Sequence, residues 1–560
     1  MKLPYASVRW MLLAFLMMIS TRALPQQLPQ GAISGTVVRA DTGEPVSGVQ
    51  VALRSPDTNL QPTTTTPDGK FSFNGLNAGT YRLIATATGF VRQEYGQRVV
   101  NGPGRPVFLM SGQSFKDAVI RLTATGAISG RIYDENGQPA TGAPVQLLRV
   151  IFNAQGKSLQ SAGADNADDR GEYRIHGVPP GRYFLVAGTP SGPLSPGRTA
   201  DASRFSLVYY PNVRELDQAS TIEIRPGTEI PLNMGVRRQP QTYRVRGHVI
   251  NSTGAALPPD LAVTLGFRNF AGGGGAWSQG RSFDSVTRSF ELKNVPPGDY
   301  TVQAEISPDS ETVKQASRSP LPFASIPIRV VDADVDDVVL NLTTGVTVPG
   351  RFVAEELLSV LPNFQQFRLV FSAGNPQATG VQLPTVLPGA ADGTFQVQGL
   401  REGEYRVVMV STDRGNPVRN TSGFYAKSIR YGGEDILTKP FKFDGSGTGT
   451  FDVELRAGTA QLSGTVTEGL SQPVPGIQVA LIPAQRYRTD LYRPALTDQN
   501  GKFSFADVVP GEYQLFSWEA LDASEVFNPD FLTRYEAQGL NVHVAEFSAQ
   551  SVSVKLIPAP

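Results

Sequence analysis

Residues Gly177–Ala187 read "GVPPGRYFLVA". Pro180 and Gly181 stand at the second and third places of a turn, the chemistry of a type II turn with Gly at the positive-φ position. Behind them Tyr183, Leu185 and Ala187 alternate with other residues, a period of two that predicts a strand with one buried face. The phrase returns four more times: "GLNAGTYRLIA" from Gly75, "NVPPGDYTVQA" from Asn294, "GLREGEYRVVM" from Gly399 and "DVVPGEYQLFS" from Asp507. The pairs Gly79/Tyr81, Gly181/Tyr183, Gly298/Tyr300, Gly403/Tyr405 and Gly511/Tyr513 are therefore one motif in five copies. Successive tyrosines are 102, 117, 105 and 108 residues apart, the spacing of a domain array.

A second marker supports the division. Each copy is preceded, 46 to 55 residues upstream of its Tyr, by a Gly that opens a strand: Gly35, Gly130, Gly247, Gly350 and Gly464. Between the markers come a second strand, as in "VQVALR", then a hairpin signal at Asp68-Gly69, Asp392-Gly393 or Asn500-Gly501. Arg170-Gly171 and Arg288-Ser289 take that place in the second and third copies. A strand of alternating aromatic and apolar residues follows, such as Phe71 and Phe73 or Phe503 and Phe505. A closing strand such as "FKDAVIRLTA" ends each copy. About 100 residues of short strands with turn signals every 8 to 12 residues describe a β-sandwich. The repeated Tyr and Phe belong between its sheets, each Tyr hydroxyl reaching a backbone partner at the edge.

The pattern G-x-V, D-x-x-G-x-P-x-x-G-x-x-V-x-L, D-x-x-G-x-F-x-F, G-x-Y-x-L resembles the carboxypeptidase regulatory-like domain and is similar to the Cna-B-like and transthyretin-like sandwiches. It covers Gly31 to Phe90 of the first copy almost completely and is thinnest in the third and fourth. The resemblance implies an all-β chain of five Greek-key antiparallel sandwiches on a secreted bacterial protein, usually in an accessory role. The expected division is 31–124, 125–241, 242–344, 345–458 and 459–560. Two chemistries of related proteins lack their residues. The first strands "ISGTVVRA" and "QLSGTVTEG" contain no Lys for an isopeptide bond, and neither His176 nor His248 opens the His-x-x-Glu pair of a peptidase zinc.

Composition narrows the function. Fifty Lys and Arg balance fifty Asp and Glu, which gives no electrostatic case for nucleic acid. With no Cys and three His, in three separate units, neither a His-based triad nor a two-His metal site is expected within one domain. Asp332, Asp334, Asp336 and Asp337 in "VVDADVDDVVLNL" invite a calcium reading. The apolar phase slips there, so a β-bulge or a strand break at Asp336-Asp337 explains the run without metal. "AGGGGAW" at 271–277 has no following helix signal and is read as a loop. No catalytic residue, metal or cofactor is expected.

Residues 1–23 read as a signal peptide. Lys2 and Arg9 precede the apolar "WMLLAFLMMI", and small residues end at Ala23, the expected cleavage point, before a linker at 24–30. That places the mature chain in a secreted, periplasmic or cell-surface setting, with no transmembrane segment after cleavage. Short connections such as "LNLTTGVTVPG" predict a monomeric rod of about 150–200 Å. A structural or adhesive role follows, with a protein or glycan partner. The alternative is polysaccharide binding through Trp277, Tyr209, Tyr210, Tyr487, Tyr492 and Trp518, with Phe516 beside Trp518 as an exposed pair or a domain-contact patch. A less favoured reading is an accessory module of a peptidase or outer-membrane system.

Overall fold

The computed structural model describes residues 30–55, 61–188, 205–238, 242–254, 256–258, 260–268, 274–278, 283–306, 321–354, 362–374, 382–387, 389–411, 423–468 and 472–559. In each unit the opening strand lies inside its sheet. These strands are Gly31–Arg39, Gly126–Tyr133, Tyr243–Asn251, Val346–Ala354 and Ala460–Glu468. On one side each pairs antiparallel with the aromatic strand: Lys70–Leu76, Glu172–Val178, Ser289–Val295, Thr394–Leu400 or Lys502–Val508. On the other side it pairs parallel with the closing strand, Ser114–Leu122 in the first unit and Ala549–Lys555 in the fifth. The sheets are thus mixed, a correction to purely antiparallel pairing. The closing strand re-enters from the opposite sheet already running in the direction of the opening strand.

The facing sheet is built on the tyrosine strand: Gly79–Thr86, Gly181–Ala187, Gly298–Ile306, Gly403–Ser411 or Gly511–Trp518. It pairs antiparallel with the second strand of its unit, Gln50–Arg54 in the first and Gln478–Pro483 in the fifth. Inward residues of both sheets form five principal apolar clusters. In the first unit Ile33, Val37, Val51, Leu53, Phe71, Phe73, Tyr81 and Leu83 meet, as the alternation requires. Each such side chain contributes about 1.5–3 kcal/mol of transfer free energy.

The recurring motif is structural in all five copies. Each Tyr hydroxyl donates to the carbonyl four residues before it: Tyr81 to Asn77 at 2.8 Å, Tyr183 to Pro179 at 2.6 Å, Tyr300 to Pro296 at 2.9 Å, Tyr405 to Arg401 at 2.9 Å and Tyr513 to Val509 at 2.7 Å. The turn differs from the type II geometry expected at Pro180-Gly181, because Gly181 has φ 157°, far from the value near +80° of that turn. The left-handed residue lies six positions before each Tyr. Gly75, Gly177, Asn294, Gly399 and Asp507 have φ of 73°, 70°, 56°, 73° and 54°. Each sits where the aromatic strand slips register against the opening strand, so it is the extra residue of a bulge. Gly, Asn and Asp are the types that tolerate this conformation.

The opening Gly is explained by close approach. A Cβ on Gly35, Gly130 or Gly247 would stand 2.0, 1.8 or 1.9 Å from a carbonyl oxygen, of Ala118, Leu232 and Val338 in turn. On Gly350 it would meet the ring of Phe395 at 2.3 Å.

The second and fifth units carry a further layer outside the tyrosine sheet. In the second, Leu148, Val186 and Tyr209 are covered by Leu207, Val213, Leu216 and Ala219. In the fifth, Ala480, Ile482, Phe516 and Trp518 lie under Leu521, Val526, Phe531 and Leu532, which belong to the segment containing the helix Pro529–Tyr535. Asn528 caps that helix, its side-chain oxygen accepting from the Asp530 and Phe531 amides.

The expected extended rod is corrected. Arg98 in the first unit pairs with Glu519 in the fifth at 2.7 Å, and Arg149 in the second pairs with Asp522 at 3.4 Å. The fifth unit therefore folds back onto the first two.

Candidate functional site

The six aromatics considered for glycan stacking are spread over the second, third and fifth units. Trp277 lies on the strand Gly274–Ser278, in register with Leu265, and its side chain lies outside the described residues. Tyr209 is 8% exposed in the outer layer of the second unit. Tyr210 is half-buried against that unit's main core. Trp518 is 2% exposed and stacks on Phe516, ring centroids 5.0 Å apart. Tyr209 and Trp518 are thus corrected from exposed platforms to buried ones. The alternation did turn Phe516 and Trp518 away from the main core, but the chain after Trp518 folds over them. The Trp518 indole N–H is buried there without a hydrogen-bond partner.

Tyr487 and Tyr492 flank the short turn Thr489–Leu491 and both keep partial exposure. Arg406 of the fourth unit places its guanidinium carbon 4.5 Å from the centroid of the Tyr487 ring, which favours the cation through the ring quadrupole. Tyr492 stacks on Phe527 with centroids 5.3 Å apart and planes 4° from parallel, and its hydroxyl donates to the Arg486 carbonyl at 3.1 Å. Burial raises the pKa of both phenols. This loop lies at the seam between the fourth and fifth units. Sequence reasoning singled out both tyrosines but missed Arg406, which no local pattern connects to them.

Charged groups on the second unit pair with one another. A groove of about 800 Å³ on the second unit is lined by Arg131, Asp165, Asp168, Glu172 and Arg174. Arg131 binds Glu172 at 3.1 Å, and Arg174 binds Glu229 at 2.9 Å. The Arg174 guanidinium, with a hydrogen bond from Ser129, holds the Glu229 carboxyl down at about 2. Asp168 is committed to its turn, accepting from the Arg170 and Glu172 amides at 2.9 and 2.8 Å. Glu305 in the third unit moves the other way, raised by burial. A general acid needs such a raised carboxyl next to a substrate-sized opening and a second catalytic group. Among the described residues no such group is seen beside Glu305.

The acidic run of the third unit contains the expected bulge. Register slips between Val335 and Val338, and Asp337 has φ 59°. Arg246 bridges Asp334 at 2.9 Å and Asp336 at 3.0 Å. Among the described residues no group of three His, Asp or Glu is placed to hold a metal ion. No helix among them is long and apolar enough to cross a membrane.

Residues 32–121 match the carboxypeptidase regulatory-like domain family. BOS complex subunit NOMO2 of Homo sapiens is 22% identical over 396 residues, 66% of this chain and 26% of that protein. Colossin-A of Dictyostelium discoideum is 25% identical over 266 residues, 45% of this chain and 2% of that protein. The chain thus spans about a quarter or less of these relatives. Among solved structures, GBS52, the minor pilin of Streptococcus agalactiae, aligns at 16% identity and TM-score 0.21, covering 38% of this chain and 97% of that one. BcpA, the major pilin subunit of Bacillus cereus, aligns at 10% identity and TM-score 0.15, covering 77% of this chain and 99% of that one.

Proposed function

We propose that this chain is an exported, non-enzymatic structural or adhesive protein, which acts by presenting the surfaces of five carboxypeptidase-regulatory-like sandwiches to a protein or glycan partner outside the cytoplasm. The observation that carries the reading is that the five-fold motif is spent on the fold. Its Tyr hydroxyls bind backbone carbonyls, and its left-handed residues sit in bulges. Its opening glycines admit closely packed neighbours. What varies between units is the connecting loops, and variable loops on a rigid scaffold are where binding resides. The division at 31–124, 125–241, 242–344, 345–458 and 459–560 belongs to this proposal, as does removal of residues 1–23, which lie outside the described residues. Cell fractionation with mass spectrometry tests it. A mature chain beginning at Leu24 outside the cytoplasm supports the reading, and an intact, cytoplasmic chain overturns it.

A second reading, polysaccharide binding, is favoured by one observation: Tyr487 and Tyr492 keep partial exposure on one short loop beside Arg406. Depletion of the pure mature chain by a polysaccharide panel tests this reading. Saturable depletion, lost in Tyr487→Ala and Tyr492→Ala, supports it. Depletion indifferent to both changes, or none at all, removes it.

A further inference from the structure

The fifth unit meets the first two through the chain that follows Trp518. Glu519 Oε1 lies 2.7 Å from Arg98 Nη1. Asp522 divides its two oxygens. Oδ1 stays local and accepts from the Ser524 amide at 3.0 Å and hydroxyl at 2.9 Å. Oδ2 faces outward and accepts from Asn101 Nδ2 of the first unit at 3.3 Å and Arg149 Nη1 of the second at 3.4 Å. On the far side of the contact, Thr489 Oγ1 donates to the Ala154 carbonyl at 3.0 Å. One short segment therefore touches both early units, some 370 to 420 positions upstream of it in the chain.

The character of this contact differs from that of the other joints. Each apolar cluster of the described residues stays within one unit, and none bridges the fifth unit to the first or second. The ion pairs keep access to solvent, with side-chain exposures of 42% and 38% for Arg98 and Glu519, and 24% and 27% for Arg149 and Asp522. Such pairs are individually weak and are screened by salt.

Sequential joints have hydrogen bonds of their own. Between the first and second units, the Thr125 amide donates to the Gly89 carbonyl at 2.9 Å. Between the third and fourth, the Arg401 guanidinium caps the Leu321 and Thr343 carbonyls at 3.1 and 3.0 Å and lies over the Phe323 ring. Between the fourth and fifth, Tyr425 donates to Glu546 at 2.9 Å and the Phe547 amide to the Gly458 carbonyl at 3.1 Å. These contacts tie the first unit to the second, and the third, fourth and fifth to one another.

We propose that the segment 519–522 is a salt-sensitive latch. It seats the block of units three to five on the block of units one and two at low ionic strength, and it releases into an extended array as ions screen Arg98–Glu519 and Arg149–Asp522. The sandwiches stay folded in both states, because their cores are apolar and local. The same chain then has a compact and a long form, selected by the ionic strength of its surroundings.

Small-angle X-ray scattering of residues 24–560 at several protein concentrations tests this. It is run at about 0.01 M and about 1 M salt, where the Debye length falls from roughly 30 to 3 Å. The maximum dimension is expected to rise with salt toward about 150–200 Å, the length of an extended array, independently of protein concentration. The double variant Arg98→Glu/Arg149→Glu leaves the fifth unit's own turn untouched and is expected to be long at both salts. Adding Glu519→Arg and Asp522→Arg is expected to restore the compact form at low salt. Unchanged Trp emission and circular dichroism show that the units remain folded. A dimension independent of salt, a double variant as compact as the wild type, or a change that tracks protein concentration overturns the proposal.

Discussion

At the level of single residues, the Tyr hydroxyls and the opening glycines carry the sharpest consequences. Tyr183→Phe removes one hydrogen bond from hydroxyl to carbonyl and leaves the Pro179 carbonyl to water at the edge. The expected loss is about 0.5–1.5 kcal/mol from the second unit, read by chemical denaturation. Gly130→Val should cost far more, above about 3 kcal/mol, because its Cβ would fall 1.8 Å from the Leu232 carbonyl oxygen and backbone would have to move. Gly137→Ala is the useful control. It also sits at positive φ (75°) but has open space around it, so about 1 kcal/mol is expected. The tyrosines also set an alkaline limit. Burial holds the phenols of Tyr183, Tyr300 and Tyr405 above their usual value and that of Tyr513 at about 12. Above pH 10 the unfolded chain loses these protons while the folded chain keeps them, so the unfolded state binds fewer protons and stability falls as pH rises. Thermal unfolding from pH 9 to 12 should show a falling midpoint, with tyrosinate absorbance appearing together with unfolding and not before it.

At the level of elements, period-two patterning carried most of the fold. It identified which strands bury the Phe and Tyr, and it found the bulge at Asp336-Asp337, because a phase slip is visible locally. It also separated the two faces of the strand Gly511–Trp518. What lies over the outer face was not legible, since a strand pattern records that a residue is apolar and not which later segment covers it. The parallel pairing of the closing strand was hidden for the same reason: direction depends on how the chain crosses between sheets. The opening Gly was visible as a marker, but its cause, a carbonyl on a strand about 80 to 100 residues later, was not. Covering Trp518 is the task of the segment that holds the helix. Phe531→Ala should cost about 3–5 kcal/mol and shift Trp emission to the red, with the other four units unaffected. A blue or unchanged emission with unchanged stability would show that the helix does not seal that face.

At the level of the whole molecule, the protein is a set of locally stable sandwiches linked by short joints. Stability in such arrays is a sum of units and neighbour contacts, so single core changes should unfold one unit and leave separate transitions for the others. The candidate site was only half legible. The loop with Tyr487 and Tyr492 was found from the residue types, but its partner Arg406 and the return of the fifth unit onto the first two depend on contacts between units. Surface recognition is the function we propose for the molecule. The most direct test incubates the pure mature chain with extracytoplasmic material from its own cell. Bound protein and released soluble products are measured in the same tubes. The account predicts saturable binding with no product release. Product release proportional to added protein would contradict it.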